Sequence, residues 1–242
     1  MNPDLSPLHS DLPASGAGST VPVRVAFFSG PGKMSQLIRW RTWGSGPAHV
    51  GLLTTDGKNI YHSRPGKGVR IDPLLESCRP GTRIDILQIA LPPDLVNQFW
   101  ALAESQLGKK YDWRGNLGFI SRRQIHHREK WFCSEIVSWL FFAIGHPLLH
   151  RVPSWKYSPE DLWRSPLLHP LTSFMLDLNE QGKMAVLPLA PEMLLRAADG
   201  VLGKPAPTYA NTGDNQNAEK CRANFGHPID FILNTILNEA EL

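Results

Sequence analysis

Trp131-Phe132-Cys133-Ser134-Glu135-Ile136-Val137-Ser138-Trp139-Leu140 is the stretch from which the fold is read: an extended aromatic lead-in stops at a cysteine, and a strongly apolar run begins there. Ile136, Val137, Leu140, Phe141 and Ile144 recur at helical spacing, and Trp139 and Phe142 make the remaining faces apolar too. That pattern predicts a buried helix, which Gly145 and Pro147 terminate. Cys133 then stands at a helix N-terminus, where unpaired N–H groups and the macrodipole favour a thiolate. Free cysteines are also among the most buried residues and pack as small apolar groups. Nucleophile and core filler both stay open on this segment alone.

Composition narrows the classes. The chain has 242 residues, 42% of them hydrophobic, and a formal net charge of +3. That suffices for one good-sized globular domain with appendages and does not call for nucleic acid. Three cysteines (Cys78, Cys133, Cys221) without C-x-x-C spacing point away from a zinc site and from a disulfide framework. No basic-then-apolar signal segment and no apolar run of membrane-spanning length is visible, so a soluble, cytoplasmic protein is expected. Residues 1–21, rich in Pro, Ser, Gly and Asp, read as a flexible leader.

The second informative stretch is Ala48-His49-Val50-Gly51-Leu52-Leu53, Thr54-Thr55-Asp56-Gly57-Lys58, Asn59-Ile60-Tyr61-His62-Ser63. Asp-Gly between two β-rich runs signals a hairpin. With Asp56 and Gly57 as the central turn residues, His62 faces Gly51 and His49 faces Arg64. His49 and His62 then become diagonal neighbours on one face, with side-chain-free Gly51 between them. A shift of one residue would put the two rings on opposite faces.

Elsewhere, Val23–Phe28, Val69–Ile71, Arg83–Ile89 and Met184–Leu189 read as strands, and Ser35–Trp43 and Leu74–Cys78 as short helical pieces. Asp94 is expected to cap a helix carrying Leu95, Val96, Phe99, Leu102, Ala103 and Leu107 to Gly108. Ser158 and Pro159 open another helix as N-cap and first residue. A helix near Glu192–Leu202, a linker near 203–220 and an amphipathic C-terminal helix with Phe231, Ile232, Ile236 and Leu237 complete the chain.

The order "HVGL", "IYHS", "GKKYDW" and "FCSE" resembles the circularly permuted NlpC/P60 branch of papain-like cysteine hydrolases, nearest to its YiiX-like members and more distantly the lecithin:retinol acyltransferase group. The resemblance covers about Val23 to Ser165, including the "SPEDL" segment. It implies an α+β fold, an antiparallel sheet packed against a central helix bearing the cysteine. It divides the chain into the leader, a catalytic domain over 22–166, and a C-terminal extension over 167–242. It implies Cys133 as nucleophile, His49 as general base and His62 as the residue orienting that base, working from a thiolate–imidazolium pair. Tyr111 matches a tyrosine near the oxyanion site, and Glu135 an acid often found in the first turn of the helix. YiiX-like members tend to carry Glu where this chain has His62; acyltransferase-type members use His. No cofactor and no metal are implied.

The expectation is therefore a cysteine hydrolase cleaving an amide bond in a peptide-like, peptidoglycan-derived substrate through a thioester. The alternatives are a lipid-directed thioesterase or acyltransferase with the same triad, and a non-catalytic binding module. Without a signal segment, a cell-wall substrate calls for a phage origin or export by a partner. A metal site from His126, His127 and Cys133 matches no common ligand spacing. The basic loop Arg122–Lys130 lacks interleaved aromatics and reads as a solvated surface, so no nucleic-acid partner is expected.

Overall fold

The computed structural model of the chain describes residues 19–32, 46–112, 130–149 and 157–189. The Ser35–Trp43 helix, nearly all of the leader and of the basic loop, the segments expected after residue 190, and Cys221 lie outside the described residues.

In chain order the strands are β1 (Val21–Ser29), β2 (His49–Leu53), β3 (Asn59–Arg64), β4 (Gly68–Pro73), β5 (Thr82–Leu91), β6 (Lys110–Tyr111), β7 (Lys130–Trp131), β8 (His169–Leu178) and β9 (Met184–Pro188). The helices are α1 (Pro93–Ser105), α2 (Cys133–Ala143) and α3 (Pro159–Trp163), with a 3-10 turn at Leu75–Ser77. Seven strands form one sheet in the order β4-β3-β2-β1-β5-β8-β9, every neighbouring pair antiparallel, while β6 and β7 form a small parallel pair. This is an α+β fold built on a mostly antiparallel sheet.

Period-two alternation divides the sheet's apolar residues between two cores. On one face Val23, Val25, Phe27, Val50, Leu52 and Tyr61 pack with Val96 and Phe99 of α1 and with Ile136, Val137, Leu140 and Phe141 of α2. The four α2 residues have no exposed surface; burying a side chain of this kind contributes about 1.5–3 kcal/mol. On the other face Ala26, Phe28, Leu53, Ile60, Ile84 and Ile86 join Leu74, Phe174 and Leu176.

The hairpin has the expected register with a different turn. Leu52 lies opposite Tyr61 and Leu53 opposite Ile60. The turn is Thr54–Gly57, closed by Gly57 N–H to Thr54 O (2.8 Å), and Thr54 N–H bonds Asn59 O (3.0 Å). Gly57 takes φ of 69°, a value that favours glycine, and Asp56 accepts from Thr54 Oγ1, the Lys58 N–H and Asn59 Nδ2. The loop is thus one residue longer on each side than an Asp-Gly two-residue turn. Symmetric widening leaves the pairing unchanged.

Two other expectations are corrected. α1 starts at Pro93, so Asp94 lies in its first turn, where a negative charge suits the dipole, and does not cap it. The sheet also continues past residue 166: β8 pairs with β5, and β9 pairs with β8. At that junction Ser173, on β8, donates to buried Asp85, which also accepts from Arg83 Nε at 2.8 Å.

Two local devices position the α2 N-terminus. Ser134 Oγ donates to Tyr157 O (2.7 Å), just before the Ser158 N-cap of α3, whose Oγ accepts from the Asp161 N–H at 3.0 Å. Glu135 accepts the Phe132 N–H at 3.3 Å. The segment leading to β6 covers the outer edge of β4: Val69 N–H bonds Lys109 O (2.8 Å) and Gly108 N–H bonds Val69 O (2.9 Å).

Candidate active site

β2 and β3 pair only through Leu52↔Tyr61 and Leu53↔Ile60, whereas β2 stays paired with β1 all the way to His49. Thr54 N–H points toward β3, so by alternation those of Leu52 and Val50 do as well. At Val50 the partner strand has separated, and the Cys133 sulfur stands on that side: the N–H groups of Val50, Ser134 and Cys133 itself face the thiol and favour its ionised form. A helix N-terminus supplies two of these donors and an opened β-ladder the third.

The histidines come to this split from the other side of the sheet. His49 alternates with Val50 and lies beside Phe28, ring centroids 5.5 Å apart. His62 lies between Tyr61 and Ser63, whose hydroxyl reaches toward β7 and donates to Trp131 O (2.7 Å). The two imidazoles meet with His49 Nε2 3.0 Å from His62 Nδ1, their rings nearly edge-to-face with centroids 5.1 Å apart. Gly51 makes this possible, since a Cβ there would stand 2.8 Å from Ile60 Cγ1 and 2.9 Å from Tyr61 O. His62 is 1% exposed and His49 partly buried.

Beyond His62 the chain of contacts continues to a residue that the sequence reading did not single out. His62 Nε2 is 3.2 Å from Asp72 Oδ2, Arg64 Nη1 is 3.0 Å from the same oxygen, and Arg70 Nε bonds Oδ1. Asp72 is buried, near the end of β4, opposite Ile60, while His62 is opposite Arg70. Asp72 is therefore to His62 what His62 is to His49, a same-face diagonal neighbour. The β3–β4 register could have revealed it, but only Val69–Ile71 reads as a strand in the sequence, one residue short.

Electrostatics corrects the expected thiolate–imidazolium pair. Burial pushes the Cys133 thiol up to about 11, outweighing the three N–H donors, and Glu135 adds to the rise. Burial, then His62 and Arg64, holds His49 well below the ordinary imidazole range. Burial also lowers His62 to about 4 despite the hydrogen bond and charge of Asp72, with Arg64 and Arg70 contributing downward. Burial opposes ionisation of Asp72, but hydrogen bonds from Arg64, His62 and Arg70 prevail and bring it to about 2. At neutral pH the site thus holds a thiol, two neutral imidazoles and a carboxylate.

Tyr111, on β6, and Glu135, in the first turn of α2, are both close enough to Cys133 to act on it electrostatically. Tyr111 is buried, and burial, then the Cys133 thiol, Asp112 and Glu135, push its phenol upward, so it remains a hydrogen-bond donor. Glu135 has no exposed surface; burial, partly offset by the Phe132 N–H and reinforced by Asp112, raises it to about 8. It therefore does not act as the charged dipole partner expected of an exposed first-turn acid. Cys78, the other described cysteine, is partly buried, and burial raises it to about 12. Among the described residues no group of three or more His, Cys, Asp or Glu is arranged to hold a metal ion, and no helix is long and apolar enough to cross a membrane.

No family model matches the chain, and none of the curated proteins matches it. Among solved structures, the chain is similar to the metalloprotein yiiX of Escherichia coli O157:H7, with 17% identity, a TM-score of 0.46, and coverage of 63% of this chain and 96% of that one.

Proposed function

We propose that this protein is a cysteine hydrolase on a permuted papain-like (NlpC/P60) fold, cleaving an amide bond in a peptide-like substrate through a thioester on Cys133. The observation that carries the reading is the Cys133 sulfur at a helix N-terminus, faced by backbone N–H groups that include Val50, the strand residue that follows His49. His49 takes the thiol proton as Sγ attacks the carbonyl carbon, because a resting thiol with a pKa of about 11 needs a base in the same step. The Cys133 N–H and the Tyr111 hydroxyl donate to the developing oxyanion. Collapse breaks the C–N bond, and the amine leaves with the proton from His49. Water, deprotonated by His49, then attacks the thioester, releasing the acid and restoring the thiol. His62 keeps the His49 ring oriented through the 3.0 Å contact.

A second reading, transfer or hydrolysis of acyl groups from lipids, uses the same residues. It is favoured by a histidine in the orienting position, though the carboxylate of Asp72 behind His62 makes that distinction weaker. Intact-protein mass spectrometry separates the two. Wild type and Cys133→Ser are incubated with muropeptides and, separately, with phospholipid vesicles. The amide reading expects peptide cleavage with a transient acyl adduct on Cys133, absent in Cys133→Ser. A fatty-acyl adduct without peptide cleavage supports the second reading, and peptide cleavage undiminished in Cys133→Ser removes the nucleophile.

A further inference from the structure

We propose that Asp72 is a positioning residue that acts through His62 to fix the tautomer of His49, leaving His49 Nδ1 as the unprotonated nitrogen available to the thiol. The inference rests on the reading of Cys133 as nucleophile and His49 as base.

The hydrogen bonds from Asp72 to His49 all run in one direction. The Asp72 carboxylate is held by two guanidinium groups, Arg64 Nη1 on Oδ2 at 3.0 Å and Arg70 Nε on Oδ1. Held this way it is ionised and can only accept. The 3.2 Å contact to His62 Nε2 must therefore be a donation by His62. A neutral imidazole carries one N–H, so His62 Nδ1 is a bare acceptor. The 3.0 Å contact between His62 Nδ1 and His49 Nε2 must in turn be a donation by His49. His49 has then used its single N–H, and its Nδ1 holds a lone pair. Without an acceptor-only group at the far end, each bond could run either way and the two tautomers of His49 would compete. A deeply buried carboxylate with two arginines and a histidine is more than β4 needs to pair with β3. The charged and titratable groups facing the rings are His62 and Arg64 for His49, and His49, Asp72, Arg64 and Arg70 for His62.

Asp72→Asn tests this. Made together with Arg64→Ala, which removes the second donor on Oδ2, it lets Arg70 hold the amide oxygen while the NH₂ donates to His62 Nε2, reversing both bonds and placing the proton on His49 Nδ1. The equivalent change behind a catalytic histidine in serine proteases leaves the geometry intact and lowers turnover about ten-thousandfold. Long-range ¹H–¹⁵N spectra of the histidine side chains in the wild-type protein at pH 7 should show N–H at Nε2 and a bare Nδ1 in both His49 and His62. Against Arg64→Ala alone, the double variant should invert or mix these tautomers and slow Cys133 alkylation by iodoacetamide at least tenfold. A wild-type His49 protonated at Nδ1 overturns the inference without recourse to any variant. So does a double variant with the tautomers and alkylation rate of Arg64→Ala. If His49→Ala alkylates at the wild-type rate, the reading of His49 as base fails instead, and the two failures are separable.

Discussion

Lowering the pH from 7 to 4.5 should destabilise the native protein relative to its His62→Gln variant. His62 is 1% exposed, and its pKa falls from 6.5 to about 4 on folding. Between those values the unfolded chain binds a proton that the folded protein refuses. Stability is therefore fully present above pH 6.5 and is lost as the pH falls through 4. At about 1.4 kcal/mol per pKa unit the whole shift corresponds to roughly 3 kcal/mol, of which about 2.5 kcal/mol should be gone at pH 4.5. Glu135 acts the other way in the same window, because its pKa rises from 4.5 to about 8, so the wild-type curve alone is not diagnostic. Glutamine does not titrate and keeps the bonding pattern, Oε1 accepting from His49 and Nε2 donating to Asp72. The quantity to measure is the stability difference between wild type and His62→Gln from urea melts at pH 7, 5.5 and 4.5. It should move against the wild type by about 2 kcal/mol as the pH falls. A difference constant to within about 0.5 kcal/mol would show that His62 is not held neutral by its burial.

Gly51→Ala should cost about 1–3 kcal/mol, since the new Cβ meets a carbonyl oxygen as well as the Ile60 side chain; an unchanged thermal midpoint would contradict the close approach of β2 and β3. Glu135→Gln should stabilise the protein at pH 7–8 and have little effect at pH 4.5, because the folded protein raises Glu135 to about 8; equal effects at both pH values, read from urea melts, would count against a buried protonated acid. In His49→Ala, where no base assists, the alkylation rate of Cys133 should climb tenfold per pH unit from pH 7 to 10, following a thiol with a pKa of about 11; a plateau below pH 8 in that variant would contradict the raised thiol pKa.

Much of this geometry can be read from local patterns. The Asp56-Gly57 signal and the alternation around it determine which residues share a face, and the histidine pair follows from these alone. The α2 boundaries follow from the apolar run and from Gly145, whose N–H and that of His146 close the helix on Phe142 O and Phe141 O. What was missed depends on contacts distant in sequence. Asp72 precedes Pro73 at the end of a short strand and looks like a turn residue until β4 is paired with β3. β8 lacks a clear period-two signal because polar Ser173 occupies a buried position, satisfied by Asp85, 88 residues earlier. A helix N-terminus correctly suggested N–H donors around Cys133. How far burial outweighs them is a property of the packed core that no local pattern encodes.

The opened ladder beside Val50 bears on how an inactive protein should be made. The Val50 N–H has no partner on β3 and faces the sulfur, so Cys133→Ala would remove the nucleophile and also leave that backbone donor facing an apolar methyl among buried residues. An unmet donor of that kind costs about 1–3 kcal/mol. Loss of turnover in the alanine variant would then mix chemistry with a loosened strand, and a substrate soaked into it would meet an altered cleft. Serine keeps an acceptor at the same position. For trapping a bound substrate, Cys133→Ser is the sounder inactive form.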